Sequence, residues 1–407
     1  MKEGYLLYRN APVFTYASSI ASTWVWAPAL FVSSENAYFH GLLGFLLFWV
    51  PNVLTLIVFG KVSEYIRKQK DGITVSDAID RASDRQKRLH LSITTLILIC
   101  STAVQLLGFY VLFHDYINLS KFQISLLVSI LALATVGYGG LKHSIITDEI
   151  KWFIMVIFGA FLLYAAYDKT HYFSIVGFNS PEKDANLIYT FGIPTIIGLM
   201  AAPYADQTFW QRVFSMDSKI VKKSFYLSSI LFGLVPLIFG MIGFTQRRIS
   251  GLWTIGYAFF YEGYAMYLLM ICTIAALLST LDSNLCAIAS IVIHDFKKSL
   301  RSGIKAMAGI LIMGMLIVCN FDITIVDLFL IYGTIRTCAA IPTVLIIINK
   351  YNEKRLFYST LAAMIIASIG YTLVPANYKF IFTALGLLIP LAGYSKENSN
   401  ETICTTP

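Results

Sequence analysis

The chain has 407 residues, of which 57% are hydrophobic and only 13% are charged, far below the roughly 25% of charged residues in soluble domains. This composition excludes an ordinary water-soluble domain and predicts a membrane protein. A net charge of +8 would suggest a nucleic-acid partner in a soluble protein, but in a membrane protein the loops that carry the charge have to be located first. Six cysteines are scattered without a C-x-x-C pair, so neither a disulfide framework nor a zinc site is indicated.

Twelve stretches of the sequence are long and apolar enough to cross a hydrocarbon core of roughly 30 Å. We number them spans 1 to 12 and predict an all-α polytopic membrane protein. In chain order, the predicted bounds are 12–33, 39–60, 92–113, 121–140, 145–167, 187–204, 224–244, 264–292, 304–320, 325–348, 356–374 and 378–394.

The basic residues orient these spans. An N-terminus on the inner side puts 24 of the 31 Lys and Arg in inner loops, including Lys142, Lys151 and four in 212–223, and leaves Arg336 inside a span. This bias predicts a cell-membrane protein with both termini in the cytoplasm, and it removes nucleic acid as a partner. Only six basic residues fall in outer loops, namely Lys121, Lys169, Lys183, Arg247, Arg248 and Lys379.

The longest polar stretch, residues 61–89, is predicted as a cytoplasmic loop with a surface helix over 74–82. It is too short for a separate domain. The whole chain, 1–407, is therefore predicted to be a single transmembrane domain, and the 13 residues from Ser395 onward are too few for a fused kinase.

Span 1 contains four hydroxyl side chains between Ser18 and Thr23, followed by Pro28. Proline removes a backbone hydrogen bond, so carbonyl groups between Ala21 and Trp24 are candidates to face a ligand. The alternative is a simple kink, with the hydroxyls bonded back onto their own helix.

Span 6 is also weakened, by Gly198 and Pro203 near its end. Interrupted helices are tolerated in membranes where they line a cavity. Because spans 1 and 6 are five apart, the pattern is typical of a carrier with two inverted five-helix repeats. We predict repeats over 12–167 and 187–348, with two extra helices over 356–394.

Span 8 reads A-A-L-L-S-T-L-D-S-N from Ala275 to Asn284. Helical spacing puts Ala276, Ser279 and Thr280 on one face, where oxygen atoms converge as hard cations require. The alternative is a face of small residues for close helix packing, with Asp282 paired to a base.

Arg336 lies in the middle of span 10, too deep to reach water with its side chain. It must face protein or a cavity and find an acceptor. One interpretation is a bond to a substrate carboxylate. The other is a structural pair with an acid such as Asp282 or Asp206.

Three segments resemble the sodium/solute symporter family. Gly139 to Asp148 is similar to its G-G-L-(K)-x-x-x-x-T-D signature, Ala275 to Ser283 to its A-A-x-M-S-T-x-D-S segment, and Asp206 to Arg212 to its D-Q-x-x-x-Q-R stretch. They occur in the family's order, and the resemblance as a whole covers roughly residues 5 to 350. Over Ser22 to Ser34 alone, span 1 is most similar to the urea/polyamine branch.

The resemblance implies a LeuT-type fold and specific sites. Sodium would bind the carbonyls of Ala21, Trp24 and Ala276 and the hydroxyls of Ser279 and Thr280, and Asp148 would help to release it. A substrate would bind among spans 1, 3, 6 and 10. The candidates there are Thr23, Trp26, Gln105, Tyr204 and Arg336.

The function implied is sodium-coupled import of a small polar solute, which is urea-like, a carboxylate or another polar molecule. A sodium-independent carrier and a transporter-like sensor with a separate partner are alternatives. A membrane enzyme is not indicated, because neither H-E-x-x-H nor G-x-S-x-G occurs.

Overall fold

The protein is a multi-pass bundle of helices. The computed structural model describes residues 2–114, 116–176, 181–245 and 263–396, and among these there is no β-strand. Ten of its helices are long and apolar enough to cross a membrane, one of them holds two predicted spans, and Lys121–Val136 is a shorter apolar helix. The prediction of twelve spans is consistent with this count. Arg247, Arg248 and residues 397–407 lie outside the described residues.

The observed helices keep the predicted order but change several bounds. Span 1 begins at Val13 and is interrupted after Trp24, and span 6 continues past its break into a short helix. A five-residue helix, Lys2–Leu6, precedes span 1. The further helices are Ala27–Gln69, Asp84–Phe113, Lys121–Val136, Gly140–Thr170, Pro181–Leu187, Ile193–Ala205, Gln207–Ser215, Ser218–Thr245, Tyr264–Ser290, Leu300–Asn320, Ile325–Ile347, Glu353–Leu373 and Lys379–Leu388.

One predicted boundary between spans and one predicted interruption lie elsewhere. The second half of span 1 and all of span 2 form one run, Ala27–Gln69, which bends at Gly41 because its φ of 63° suits glycine. In span 6 the helix passes through Pro203 and ends at Ala205. The break lies at Asp206, because the side chain of this residue caps the next helix by accepting from the N–H of Thr208.

The polar loop is shorter than predicted. Span 2 continues to Gln69 and span 3 begins at Asp84, so residues 70–83 form the connection. Its only helical turn is Val75–Ala78 rather than 74–82. The charged residues at either end continue the helices, since ordinary helix formers such as Lys, Arg and Gln need no apolar environment to stay helical.

Spans 1 to 5 and spans 6 to 10 pack in matching ways, so that contacts between two spans recur between the spans five positions along the chain. Span 1 packs on 5 as 6 packs on 10, and span 1 on 7 as 6 on 2. Span 3 contacts 9 and 10, while span 8 contacts 4 and 5. This pairing is the one expected of two structurally equivalent five-helix repeats. Spans 11 and 12 pack together against span 10, outside that scheme.

The loop of residues 70–83 is fastened to the end of span 8. Thr74 Oγ1 lies 2.9 Å from Asp295 Oδ1, and His294 Nε2 lies 3.2 Å from Asp77 Oδ1. The N–H of Val75 donates to Gln207 Oε1 at 2.7 Å. The loop therefore ties span 8 to the short helix after the break in span 6.

We expect this fastening to weaken in acid. Burial raises the pKa of the Asp77 carboxyl, but hydrogen bonds from His294 and from the N–H groups of Thr74 and Ile73 outweigh it and hold the pKa below its usual value. When folding lowers the pKa of a carboxyl group, the ionised group stabilises the folded state fully at pH values above the unfolded-state pKa of about 3.9. This contribution is lost as pH falls through the lower pKa of the folded state. Hydrogen exchange at residues 73–78, corrected for its intrinsic pH dependence, should quicken as pH falls below about 4.

The variant Asp77→Ala provides the control for this expectation. It should exchange quickly in the same amides at every pH, because no carboxylate remains to titrate. Equal protection of Asp77→Ala and the wild type at neutral pH would show that Asp77 does not anchor the loop.

Candidate functional site

The interruption of span 1 is capped from both sides. Val25 N donates to Ala21 O at 2.8 Å where the first helix ends, and Ala27 N donates to Gln105 Oε1 at 3.0 Å where the second begins. In an unbroken helix the N–H of residue 28 would donate to the carbonyl of Trp24. Because residue 28 is proline and has no N–H, this carbonyl lacks its helical donor. The prediction that span 1 is broken is confirmed. The carbonyl of Ala21 is not freed as predicted, because it still accepts from the N–H of Val25.

The two hydroxyls of span 8 contact different partners at this break. Thr280 Oγ1 donates to the carbonyls of Thr23 at 3.0 Å and Val25 at 3.3 Å. Ser279 Oγ donates to Asp148 Oδ1 at 2.7 Å. Each hydroxyl oxygen retains lone pairs after donating its proton. Span 8 thus brings one hydroxyl oxygen to span 1 and the other to span 5.

Asp148 is the centre of a buried polar network. Its Oδ2 accepts from Ser19 Oγ at 2.7 Å and from Arg212 Nη2 at 3.0 Å, and neither Asp148 nor Arg212 is exposed. Arg212 also donates from Nε to Ser19 and from Nη2 to Ser283 Oγ at 2.7 Å. The network joins spans 1, 5 and 8 to the short helix after span 6.

A second buried ion pair lies beside the first. Lys151 Nζ is 2.6 Å from Asp282 Oδ2 and 3.7 Å from Asp148 Oδ1, and Thr135 Oγ1 donates to Asp282 Oδ1. The assignment of Lys151 and Arg212 to inner loops was therefore wrong. Both lie within the helix bundle, because the buried carboxylates of Asp148 and Asp282 require compensating charge.

Arg336 pairs with Asp206 and not with Asp282. Its Nη2 donates to Asp206 Oδ2 at 3.0 Å. Its guanidinium carbon lies 4.1 Å from the ring centre of Tyr332, 5.4 Å from Trp26 and 5.8 Å from Trp24. Arginine between aromatic faces is a recurrent favourable arrangement. The structure thus brings two predicted solute residues, Trp26 and Arg336, together with the predicted sodium residue Trp24.

The other predicted solute residues have their own contacts. Thr23 Oγ1 lies 2.9 Å from Ser283 Oγ, next to the candidate sodium oxygens. Gln105 is engaged with the break in span 1, through the bond to Ala27 already described and one from Nε2 to Ser101 O. The ring of Tyr204 packs edge-on against Phe59, with centres 5.4 Å apart. Their roles in solute binding stay predictions.

Sequence reasoning missed several members of this site. Ser19, Ser283 and Tyr332 were not singled out, and Arg212 and Lys151 were counted as loop charges. The available signal was charge balance, because two acids inside spans need two bases nearby. Among the described residues, no group of three His, Cys, Asp or Glu side chains is placed to hold a metal ion.

The fold is shared with known transport proteins. The chain superposes on a Na⁺-coupled sialic acid symporter in a substrate-bound outward-open state, with a TM-score of 0.72, 16% identity, and coverage of 95% of this chain and 89% of that one. The fold is the LeuT type. No family model matches the sequence, and no curated protein is similar to it in sequence.

Other LeuT-type structures agree over nearly their whole length. Mhp1, a nucleobase-cation-symport-1 family transporter in a closed conformation with bromovinylhydantoin bound, gives a TM-score of 0.64 at 12% identity, covering 95% of this chain and 94% of that one. MhsT in complex with L-phenylalanine gives 0.58 at 14%, covering 95% and 97%. A manganese transporter of Eremococcus coleocola gives 0.59 at 10%, covering 96% of each.

Proposed function

We propose that this protein is a sodium-coupled secondary transporter that imports a small polar solute by alternating access. The observation that carries the proposal is the position of Ser279 and Thr280. Their hydroxyls connect span 8 to the interrupted span 1 and to Asp148 of span 5. Several oxygen ligands around one point are what a hard cation needs. The sialic acid symporter with the same fold is described as Na⁺-coupled.

The proposed sodium ligands are the carbonyls of Ala21, Trp24 and Ala276 and the hydroxyls of Ser279 and Thr280. A cation here ties span 8 to span 1, and so favours one arrangement of the two repeats over the other. Asp148 contacts Ser279 directly, and so offers the ion a carboxylate on its way out. The solute binds on the other side of the break, near Trp26 and Arg336.

The coupling is expressed as reciprocal affinity. Sodium strengthens solute binding by the same factor by which solute strengthens sodium binding. The membrane potential adds about 2.3 kcal/mol per charge per 100 mV to the inward movement of the ion. No contact between ion and solute is required, because both bias the same rearrangement of the repeats.

The proposal is tested on the purified protein without knowledge of the solute. Sodium chloride should raise the melting temperature above that in potassium chloride at equal ionic strength, because an ion bound only by the folded state stabilises it. Ser279→Ala with Thr280→Ala should lose this sodium-specific shift. The melting temperature in potassium should fall moderately, since the Thr280 hydroxyl contributes about 1 kcal/mol and the Ser279 hydroxyl, which donates to a carboxylate, about 1.5–3 kcal/mol.

Ser228→Ala is the matched control, because Ser228 is a buried serine bonded within its own helix to Phe225 O at 2.8 Å. It should retain the full sodium shift. A double variant that also retains it would refute the site. A wild type without any sodium-specific shift would refute sodium coupling itself.

A sodium-independent carrier is the second candidate, and one observation favours it. Around Asp148, the two acids Asp148 and Asp282 are already balanced by Arg212 and Lys151. A sodium ion adds an unbalanced positive charge to this buried network. The same melting experiment separates the two candidates, because only the symporter shows a shift specific to sodium.

A further inference from the structure

The guanidinium of Arg336 is buried, and one of its N–H donors has no acceptor in the part of the chain that the structure describes. Only 3% of the residue is exposed, and Nε has no hydrogen-bond acceptor among the described residues. The guanidinium donates from Nη2 to Asp206 Oδ2. A buried donor without an acceptor destabilises the folded state, and a charged donor does so more strongly. Such a group is expected where a ligand supplies the missing acceptor.

Asp206 is unable to supply that acceptor. Its Oδ1 accepts both the N–H of Thr208 at 3.0 Å and the Thr208 hydroxyl at 2.7 Å, and so caps the helix Gln207–Ser215. The carboxylate thus presents one oxygen to Arg336. The Nε–Nη2 edge of an arginine is the fork that a carboxylate normally occupies with both oxygens. In this protein Nη2 of that fork has an acceptor and Nε has none within the described ranges.

The surroundings of the fork are rich in donors. The indole N–H groups of Trp24 and Trp26 are buried and also have no acceptor among the described residues. Both indole rings lie within 6 Å of the guanidinium carbon. A ligand that suits this cluster brings acceptors, whereas a urea or an amide brings further N–H donors to a place that already has three in excess.

We propose that the solute carries a carboxylate, which binds the Nε–Nη2 fork of Arg336 between Trp24, Trp26 and Tyr332. This inference rests on the proposed transport function and names its substrate class. Arg336 and Asp206 together are neutral, so a carboxylate leaves the site with one negative charge. A sodium ion at the break in span 1 compensates it, which gives sodium and carboxylate a direct electrostatic reason to bind together.

The experiment uses carboxylate–amide pairs as probes on the full-length purified protein. Propionate with propionamide, and benzoate with benzamide, are titrated in sodium and in potassium while melting temperature is recorded. The carboxylates should stabilise the wild type in sodium, and the amides should not. Arg336→Lys keeps the charge but loses the fork, and should weaken carboxylate binding about tenfold or more.

Two further variants keep the result interpretable. Asp206→Asn still caps the helix through its side-chain oxygen but leaves the fork to the ligand, so it should bind carboxylates more tightly than the wild type. Arg355→Gln, at the exposed start of span 11, is the control for loss of an arginine and should bind as the wild type does. Arg336→Lys must elute as a single species in size-exclusion chromatography before its affinity is compared.

The outcomes separate this inference from the transport proposal. Stabilisation by amides equal to that by carboxylates, or undiminished carboxylate binding in Arg336→Lys, overturns the carboxylate inference and leaves sodium coupling standing. Equal carboxylate binding in sodium and potassium supports the carboxylate site and overturns sodium coupling.

Discussion

Replacing Arg212 with methionine is expected to lower the free energy of unfolding by about 3–5 kcal/mol, the cost typical of removing one partner of a buried ion pair. Asp148 is fully buried, and Arg212 is its bonded counter-charge at 3.0 Å. Methionine fills similar volume but leaves the carboxylate without that charge. The measurement is the fraction of protein that stays monodisperse in detergent after heating, followed by size-exclusion chromatography.

A double-mutant cycle supplies the control. Arg212→Met with Asp148→Asn removes both charges of the pair, so it should be more stable than Arg212→Met alone. Strict additivity of the two single effects would show that the side chains do not interact energetically. Lys151 lies 3.7 Å from Asp148 and could compensate in part, so Lys151→Met with Arg212→Met should be the least stable of these variants.

Arg212 also shows how the two candidate sites are joined. It belongs to the helix Gln207–Ser215, whose cap is Asp206, the partner of Arg336. One nine-residue helix therefore contacts Asp148, beside the proposed sodium ligands, through Arg212, and Arg336, in the proposed solute site, through its cap. Displacement of this helix alters both sites together, which is the physical requirement for coupling between them.

Hydropathy predicted the membrane-spanning helices because it acts segment by segment. A run of apolar residues is required for each span whatever its neighbours are. The interruption of span 1 was predicted correctly for a similar reason, since the missing N–H of Pro28 is a local covalent fact. Pro203 misled the reading of span 6, because a helix passes a proline when its surroundings satisfy the freed carbonyl.

The buried charges could not be placed by such local reasoning. Lys151 and Arg212 lie near predicted span ends, where loop positions are the usual assignment for basic residues. Their burial depends on acids that lie on other helices. Lys151 contacts Asp282, which is 131 residues away in sequence, and Arg212 contacts Asp148, which is 64 residues away. Contacts between residues so far apart in sequence cannot be predicted from the residues of a single segment.

The signature-like segment at the start of span 5 has a steric explanation that yields a second strong prediction. Gly140 has a φ of +59°, and a Cβ added there would lie 2.6 Å from both Cδ2 and the carbonyl oxygen of Tyr5. The hydroxyl of Tyr5 in turn donates to Gly137 O at 3.0 Å. Gly140→Ala should therefore destabilise the protein by about 3 kcal/mol, from the left-handed backbone and the overlap together.

The expected structural consequence is release of the N-terminal helix Lys2–Leu6 from span 5, which faster tryptic cleavage after Arg9 would report. Gly309→Ala is the matched control, because Gly309 lies inside the helix Leu300–Asn320 and a Cβ there meets nothing within 4 Å. That change should leave cleavage unaltered and stabilise the helix by up to about 1 kcal/mol. If Gly140→Ala melts and is cleaved like Gly309→Ala, the close approach of Tyr5 does not explain the glycine, since alanine would then fit against Tyr5 at no cost.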